Sequence, residues 1–278
     1  MDKLKILLVT MLPLLAGACR YYGGKEIVDT PPPGPEPIVK QDTTYCVSRL
    51  AVDAPYPVRS LDIFVYSADG LKDLVSYIHA DGDSARVSLP DSLPKIVAVV
   101  ANARSRFNIQ GLNHYDSLDE IRVQLDGDSP DAPLMSGSGQ LGQRVFLTPL
   151  LCTVELVSVT NYYEDDVLAE HPRVWLENVN TDADLFRSQG FTVREPRSSR
   201  KVYLPSDIGL YTQHPGTKLY CYPNDLPNPD AGNPATELVL EYEMEGATLT
   251  QRYTLHPIMR GETIQLEAGI RPYGAGRP

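Results

Sequence analysis

The chain has 278 residues, 42% of them hydrophobic and 22% charged, an ordinary balance that excludes wholesale disorder and leaves length for roughly two domains. Its 24 prolines stand well above the usual ~5% and exclude an architecture of long helices, while 16 tyrosines against 5 phenylalanines suit half-buried sheet faces. A formal charge of −11 repels phosphate backbones and excludes general nucleic-acid binding.

Lys3 and Lys5 precede an apolar stretch, residues 6–15, interrupted by Thr10 and Pro13. It is too short to span a bilayer, which takes ~20 residues. The small residues Ala16, Gly17 and Ala18 follow, then Cys19. A positive start, an apolar core and small residues at the cut describe a secretory signal, here residues 1–18. The tetrad ending in Cys19 resembles a bacterial lipobox, with Ala16 where a branched residue is usual, so Cys19 is the candidate lipidated N-terminus. The alternative is an ordinary cleavage site beside an uninvolved cysteine. Each buried acyl CH₂ contributes about 0.8 kcal/mol, so two or three chains on one residue hold a protein durably on a membrane. In residues 19–42, Thr30 to Pro37 carries prolines dense enough for polyproline II, about 22 Å over seven residues, which reads as a stalk.

Ordered sequence is expected from Thr43. Leu61, Ile63 and Val65 alternate with Ser60, Asp62 and Phe64, and Asp69-Gly70 signals a hairpin. Ala85, Val87 and Leu89 alternate with polar residues, and residues 96–100 (IVAVV) form a run that predicts a strand buried on both faces. Ser117 with Glu120 makes a capping box ahead of Leu118, Ile121 and Leu125, predicting one helix over 117–125. Residues 150–160 are strongly strand-forming; 178–184 and 194–201 read as loops. Leu238, Leu240, Tyr242 and Met244 then face one way and Val239, Glu241, Glu243 and Glu245 the other. Glu245-Gly246 turns the chain into 249–255, and 264–270 alternates again, which predicts three consecutive antiparallel strands with one wet face. The pattern is all-β: two tandem antiparallel β-sandwich domains, 43–148 and 149–278, with one short helix in the first.

No chemistry-bearing motif stands out. The histidines, His79, His114, His171, His214 and His256, are widely separated and form no HExxH pair. Ser136-Gly137-Ser138-Gly139 has the wrong spacing for a nucleophile elbow and reads as a flexible turn. Residues 180–184 (NTDAD) resemble the start of a calcium loop, but Leu185 stands where the loop needs Gly and Phe191 where it needs Glu, so a solvated turn is the stronger reading. Trp175, the single tryptophan, reads as core. The expectation is therefore no enzyme, no metal and no cofactor. Cys46, Cys152 and Cys221 allow at most one intramolecular disulfide, match no zinc spacing, and read first as small buried hydrophobes on strands.

Three segments carry a family resemblance: Val58 to Tyr66 (VRSLDIFVY) ahead of Asp69-Gly70, residues 93–102 (LPKIVAVVAN), and Lys218-Leu219-Tyr220-Cys221-Tyr222-Pro223-Asn224. With the lipobox, the proline linker and the rhythm of 253–270, they resemble the fimbrillin-associated anchor (type V pilus) lipoproteins of Bacteroidetes, although Arg260-Gly261 stands where the family usually has Arg-Asn. The resemblance implies transthyretin-like sandwiches and a cell-adhesion role on the outer membrane surface, attached through an acylated, palmitate-bearing cysteine. The implied partners are other fimbrial subunits joined by β-strand addition, and beyond them a host or bacterial surface ligand. It also implies a candidate processing site, Arg49, in a first strand over 43–52. Stalk and tip subunits are cut there, whereas anchors keep both lipid and strand. The competing expectations are a fimbrial tip subunit and a glycan-binding surface lipoprotein.

Overall fold

The computed structural model describes residues 46–163 and 167–272. Cys19, the signal segment, the linker and residues 43–45 lie outside that range. The first half supplies nine strands: β1 (Cys46–Asp53), β2 (Ser60–Ser67), β3 (Leu74–Asp81), β4 (Ser84–Leu89), β5 (Lys95–Ala101), β6 (Arg122–Gln124), β7 (Met135–Gln140), β8 (Val145–Phe146) and β9 (Thr148–Pro149). The second half supplies eight: β10 (Cys152–Asn161), β11 (Glu170–Glu177), β12 (Asp182–Asp184), β13 (Val202–Tyr203), β14 (Thr217–Cys221), β15 (Glu237–Met244), β16 (Ala247–Thr254) and β17 (Thr263–Ile270).

The first sandwich packs a five-stranded sheet, β3-β2-β5-β7-β9, against a three-stranded one, β4-β1-β8. Leu50, Leu61, Ile63, Val65, Val97 and Val99 form the core between them. The outer face of the larger sheet is covered too, with Phe64, Tyr66, Ala98 and Val100 buried under Leu112, Leu118, Leu134 and Leu185. Thus β5 is buried on both faces as its apolar run predicts, and so is β2. The second sandwich sets β14-β10-β17 against β13-β11-β15-β16 around Val154, Leu156, Leu176, Leu238, Leu240 and Tyr242.

Both hairpin turns form where the sequence places them. Asp69 Oδ1 accepts the N–H groups of Leu71 and Lys72 in an Asx turn between β2 and β3. Glu245 and Gly246 take φ of 53° and 81°, the positive pair that a two-residue hairpin needs, and Met244 opposes Ala247.

Four expectations are corrected. The helix is a 3-10 segment over Tyr115–Glu120, capped without a side-chain bond, and the rest of 117–125 becomes β6 and a second 3-10 turn at Leu125–Gly127. A nine-residue helix is marginal alone, and pairing of Arg122–Gln124 with Asp182–Asp184 outcompetes it. That same pairing makes part of the 180–184 segment a strand instead of a solvated turn, with Asp184 held by Arg122 and Arg187. Ser136 to Gly139 is not a turn but the body of β7, paired with β5. Finally, β17 does not follow β16 in an antiparallel series. It crosses to the other sheet and runs parallel to β10 from Thr153↔Thr263 to Asn161↔Ile270.

Candidate functional site

The first strand is the most exposed element of the N-terminal sandwich. It pairs along β4 from Cys46↔Leu89 to Ala51↔Ser84, whereas β8 meets only Val52 and Asp53. Among the described residues, its second edge from Cys46 to Ala51 has no strand beside it. Unpaired N–H and C=O groups on such an edge are a template for another chain. Only Leu50 is fully buried on β1; Ser48 and Val52 are half-buried and the other five residues are exposed. One buried leucine contributes about 1.5–3 kcal/mol, so the strand is lightly held. Arg49 lies on its outer face, exposed and directly opposite Arg86 of β4, which is also exposed. Like charges in that position destabilise the pair. Residues 46–49 include no buried side chain, so cleavage after Arg49 would remove the first four residues of the strand without taking a core residue and leave Leu50 at the new terminus.

The junction between the halves uses the Lys218 to Asn224 segment. Tyr222 is fully buried, and its hydroxyl lies 3.2 Å from the Gln124 carbonyl, to which it donates, and 3.4 Å from Asp128, on the wall of a cleft of ≈ 400 Å³ also lined by Arg104, Arg106, Phe107 and Arg122. Burial raises the pKa of both Tyr222 and Asp128. Leu150, Leu151, Ala183 and Phe191 pack around the tyrosine. Arg260 closes the opposite side. One guanidinium nitrogen donates to the carbonyls of Leu185 (3.0 Å) and Arg187 (2.7 Å), the other to Ser136 Oγ (2.8 Å) and the Thr148 carbonyl (2.9 Å). No carboxylate joins it among the described ion pairs, its Nε is buried without a partner, and burial pulls its pKa down to about 10. Gly261 follows at φ +70°, where a Cβ would sit 2.9 Å from the Pro149 ring. The left-handed turn and the close Pro149 ring both suit glycine at this position.

Two further features escaped the sequence reading. Asp62 alternates with apolar residues but is wholly buried, accepting hydrogen bonds from Tyr77 Oη (2.5 Å) and His79 Nδ1 (2.9 Å) with its second oxygen unpartnered. The signal was the aromatic company of Phe64 and Tyr66 on its own face. Trp175 is 5% exposed, yet it lies on the outer face of its sheet under Lys201, 3.9 Å from the ring, within a lattice joining Arg173 to Glu241 and Arg252 to Glu177 and Glu237. Arginines likewise stand over Tyr203 and Tyr162. Among the described residues, no group of three or more His, Cys, Asp or Glu converges as a metal site.

No protein-family model matches the chain, and no curated protein matches its sequence. Solved structures do match. A candidate cell adhesion protein from Parabacteroides distasonis superposes with a TM-score of 0.63 over 85% of this chain and 93% of its own, at 13% identity. A second, from Bacteroides eggerthii, gives 0.58 over 81% and 87% at 14% identity. A fimbrilin from Porphyromonas gingivalis gives 0.56 over 82% and 93% at 9% identity. The chain has a fimbrilin-type fold. At such identities it is the fold that is shared, and it is the fold that the resemblance in the sequence implied.

Proposed function

We propose that the chain is a non-enzymatic cell-surface lipoprotein acting as an anchor or accessory subunit of a fimbria assembled by β-strand addition. The observation that carries the reading is the fimbrilin-type fold, spanning most of both chains. The half-open edge of β1 supports it, because strand addition needs an unpaired edge. The anchor role is favoured by continuity: Cys19 and the proline linker precede β1 in the chain, so they stay with the head only if Arg49 is not cut. The partners are other fimbrial subunits and the outer membrane, reached through the lipid.

One observation favours a tip subunit instead. Arg49 is exposed, repelled by Arg86, and sits on a strand with a single buried anchor, which suits a protease. The glycan-binding alternative draws nothing from the single tryptophan, because Trp175 is buried under Lys201. Cys19→Ala tests the anchor. Labelling with a fatty-acid analogue is expected to vanish, and the protein is expected to leave the membrane fraction together with its fimbrial partners. A variant that stays labelled and membrane-bound refutes it.

A further inference from the structure

Cys152 and Cys221 are directly opposed across β10 and β14, and both are fully buried. Directly opposed residues of an antiparallel pair project from the same face of the sheet. The spacing of this pair follows from the ladder. Thr153 N–H donates to Glu262 on the β17 side, and Tyr222 N–H donates to Asn180, away from β10. Because N–H and C=O directions alternate along a strand, Cys152 and Cys221 then face each other as a hydrogen-bonded pair. Such pairs hold their Cα atoms about 5.5 Å apart, inside the Cα range that a disulfide spans. Both thiols are free in this structure, with Cys152 Sγ donating to the Met259 carbonyl (3.1 Å), so closing the bond takes a rotation of that side chain towards Cys221. Cys46 lies exposed on β1, on a different sheet.

We propose that Cys152 and Cys221 form a cross-strand disulfide that ties the centre of the second sandwich, leaving Cys46 as the free thiol. The oxidant is a disulfide of the thiol-exchange class. The thiolate of one cysteine attacks that disulfide, forming a mixed disulfide and releasing one oxidant thiol. The second thiolate then attacks the protein sulfur of the mixed disulfide, forming the Cys152–Cys221 bond and releasing the other oxidant thiol. Two protons leave the protein and two electrons end on the oxidant.

Timing follows from burial. Desolvation raises the Cys152 thiol to about 12 and Cys221 well above its ordinary value, and only the thiolate attacks. The bond therefore forms while the chain is folding and resists exchange once the core has closed. A disulfide formed in this way closes the long chain segment between the two strands and limits the freedom of the unfolded state.

The mature chain, refolded from denaturant in a buffer of reduced and oxidised glutathione, tests the assignment by alkylation in denaturant followed by non-reducing peptide mapping. The expected result is one alkylated cysteine, Cys46, and a linked pair of peptides carrying Cys152 and Cys221. Reductant added during unfolding is expected to lower the melting temperature of the wild type but not of the C152A/C221A variant. Recovery of Cys152 and Cys221 as separately alkylated peptides, or of either one linked to Cys46, overturns the proposal.

Discussion

Replacing Arg260 with methionine is expected to destabilise the protein by about 2–4 kcal/mol, read as a fall in the urea midpoint. The guanidinium is the common donor to three carbonyls and one hydroxyl drawn from β7, β9 and the segment after β12. Methionine fills much of the same volume but removes charge-assisted hydrogen bonds worth about 1.5–3 kcal/mol each, while the Leu185 carbonyl keeps the Ser136 hydroxyl as a donor and the carbonyls of the exposed Arg187 and Thr148 can turn to water. Some of that loss is offset because the variant no longer buries a charge without a counterion, a burial already visible in the depressed pKa. Arg260→Lys is expected to fall nearly as far, since one ammonium on a flexible stem cannot serve four acceptors arranged around a planar fork. An unchanged midpoint in both variants would mean that the junction is held by Tyr222 and its apolar neighbours alone.

Gly137→Ala is expected to cost about 3 kcal/mol or more, while Gly139→Ala two residues along the same strand stays within about 1 kcal/mol of wild type. The contrast comes from the neighbours. A Cβ at Gly137 would lie 2.1 Å from the carbonyl oxygen of Phe146, which is backbone and cannot rotate away. The strand must shift from β8 or distort, disturbing the sheet that holds β1. At Gly139 the nearest atom is a methyl of Val145 at 3.5 Å, an ordinary contact. Equal melting temperatures for the two variants, measured by circular dichroism, would contradict this packing.

What could be read from the sequence was local. The run at 96–100 declared a doubly buried strand because no polar residue interrupts it. Asp69-Gly70 and Glu245-Gly246 declared their hairpins because the turn geometry lies within those residues. The alternation of 238–245 correctly set Leu238, Leu240, Tyr242 and Met244 into the core. Periodicity says which face is wet, however, and not which strand lies alongside. The parallel partnership of β17 with β10 depends on a residue more than a hundred positions away and was not legible. The same limit hid β6, whose partner β12 lies in the other half of the chain. Ser136 to Gly139 looked like a turn because its composition is that of a turn; its glycine serves the close approach of Phe146, which composition cannot reveal. Arg260 was legible only as a departure beside Gly261, and its four acceptors come from three distant segments. At the candidate assembly edge the sequence placed Arg49 on the first strand, and the structure adds the opposing Arg86 and the single buried anchor, Leu50.

The proposed anchor role turns on whether residues 19–49 stay with the head. Purifying the protein from assembled surface fimbriae, then determining its intact mass and N-terminal sequence, tests that directly. The anchor role predicts a blocked terminus at Cys19, with a mass that includes the acyl chains and the proline linker. A free terminus at Leu50, produced by cleavage after Arg49, would contradict it and make the chain a tip subunit.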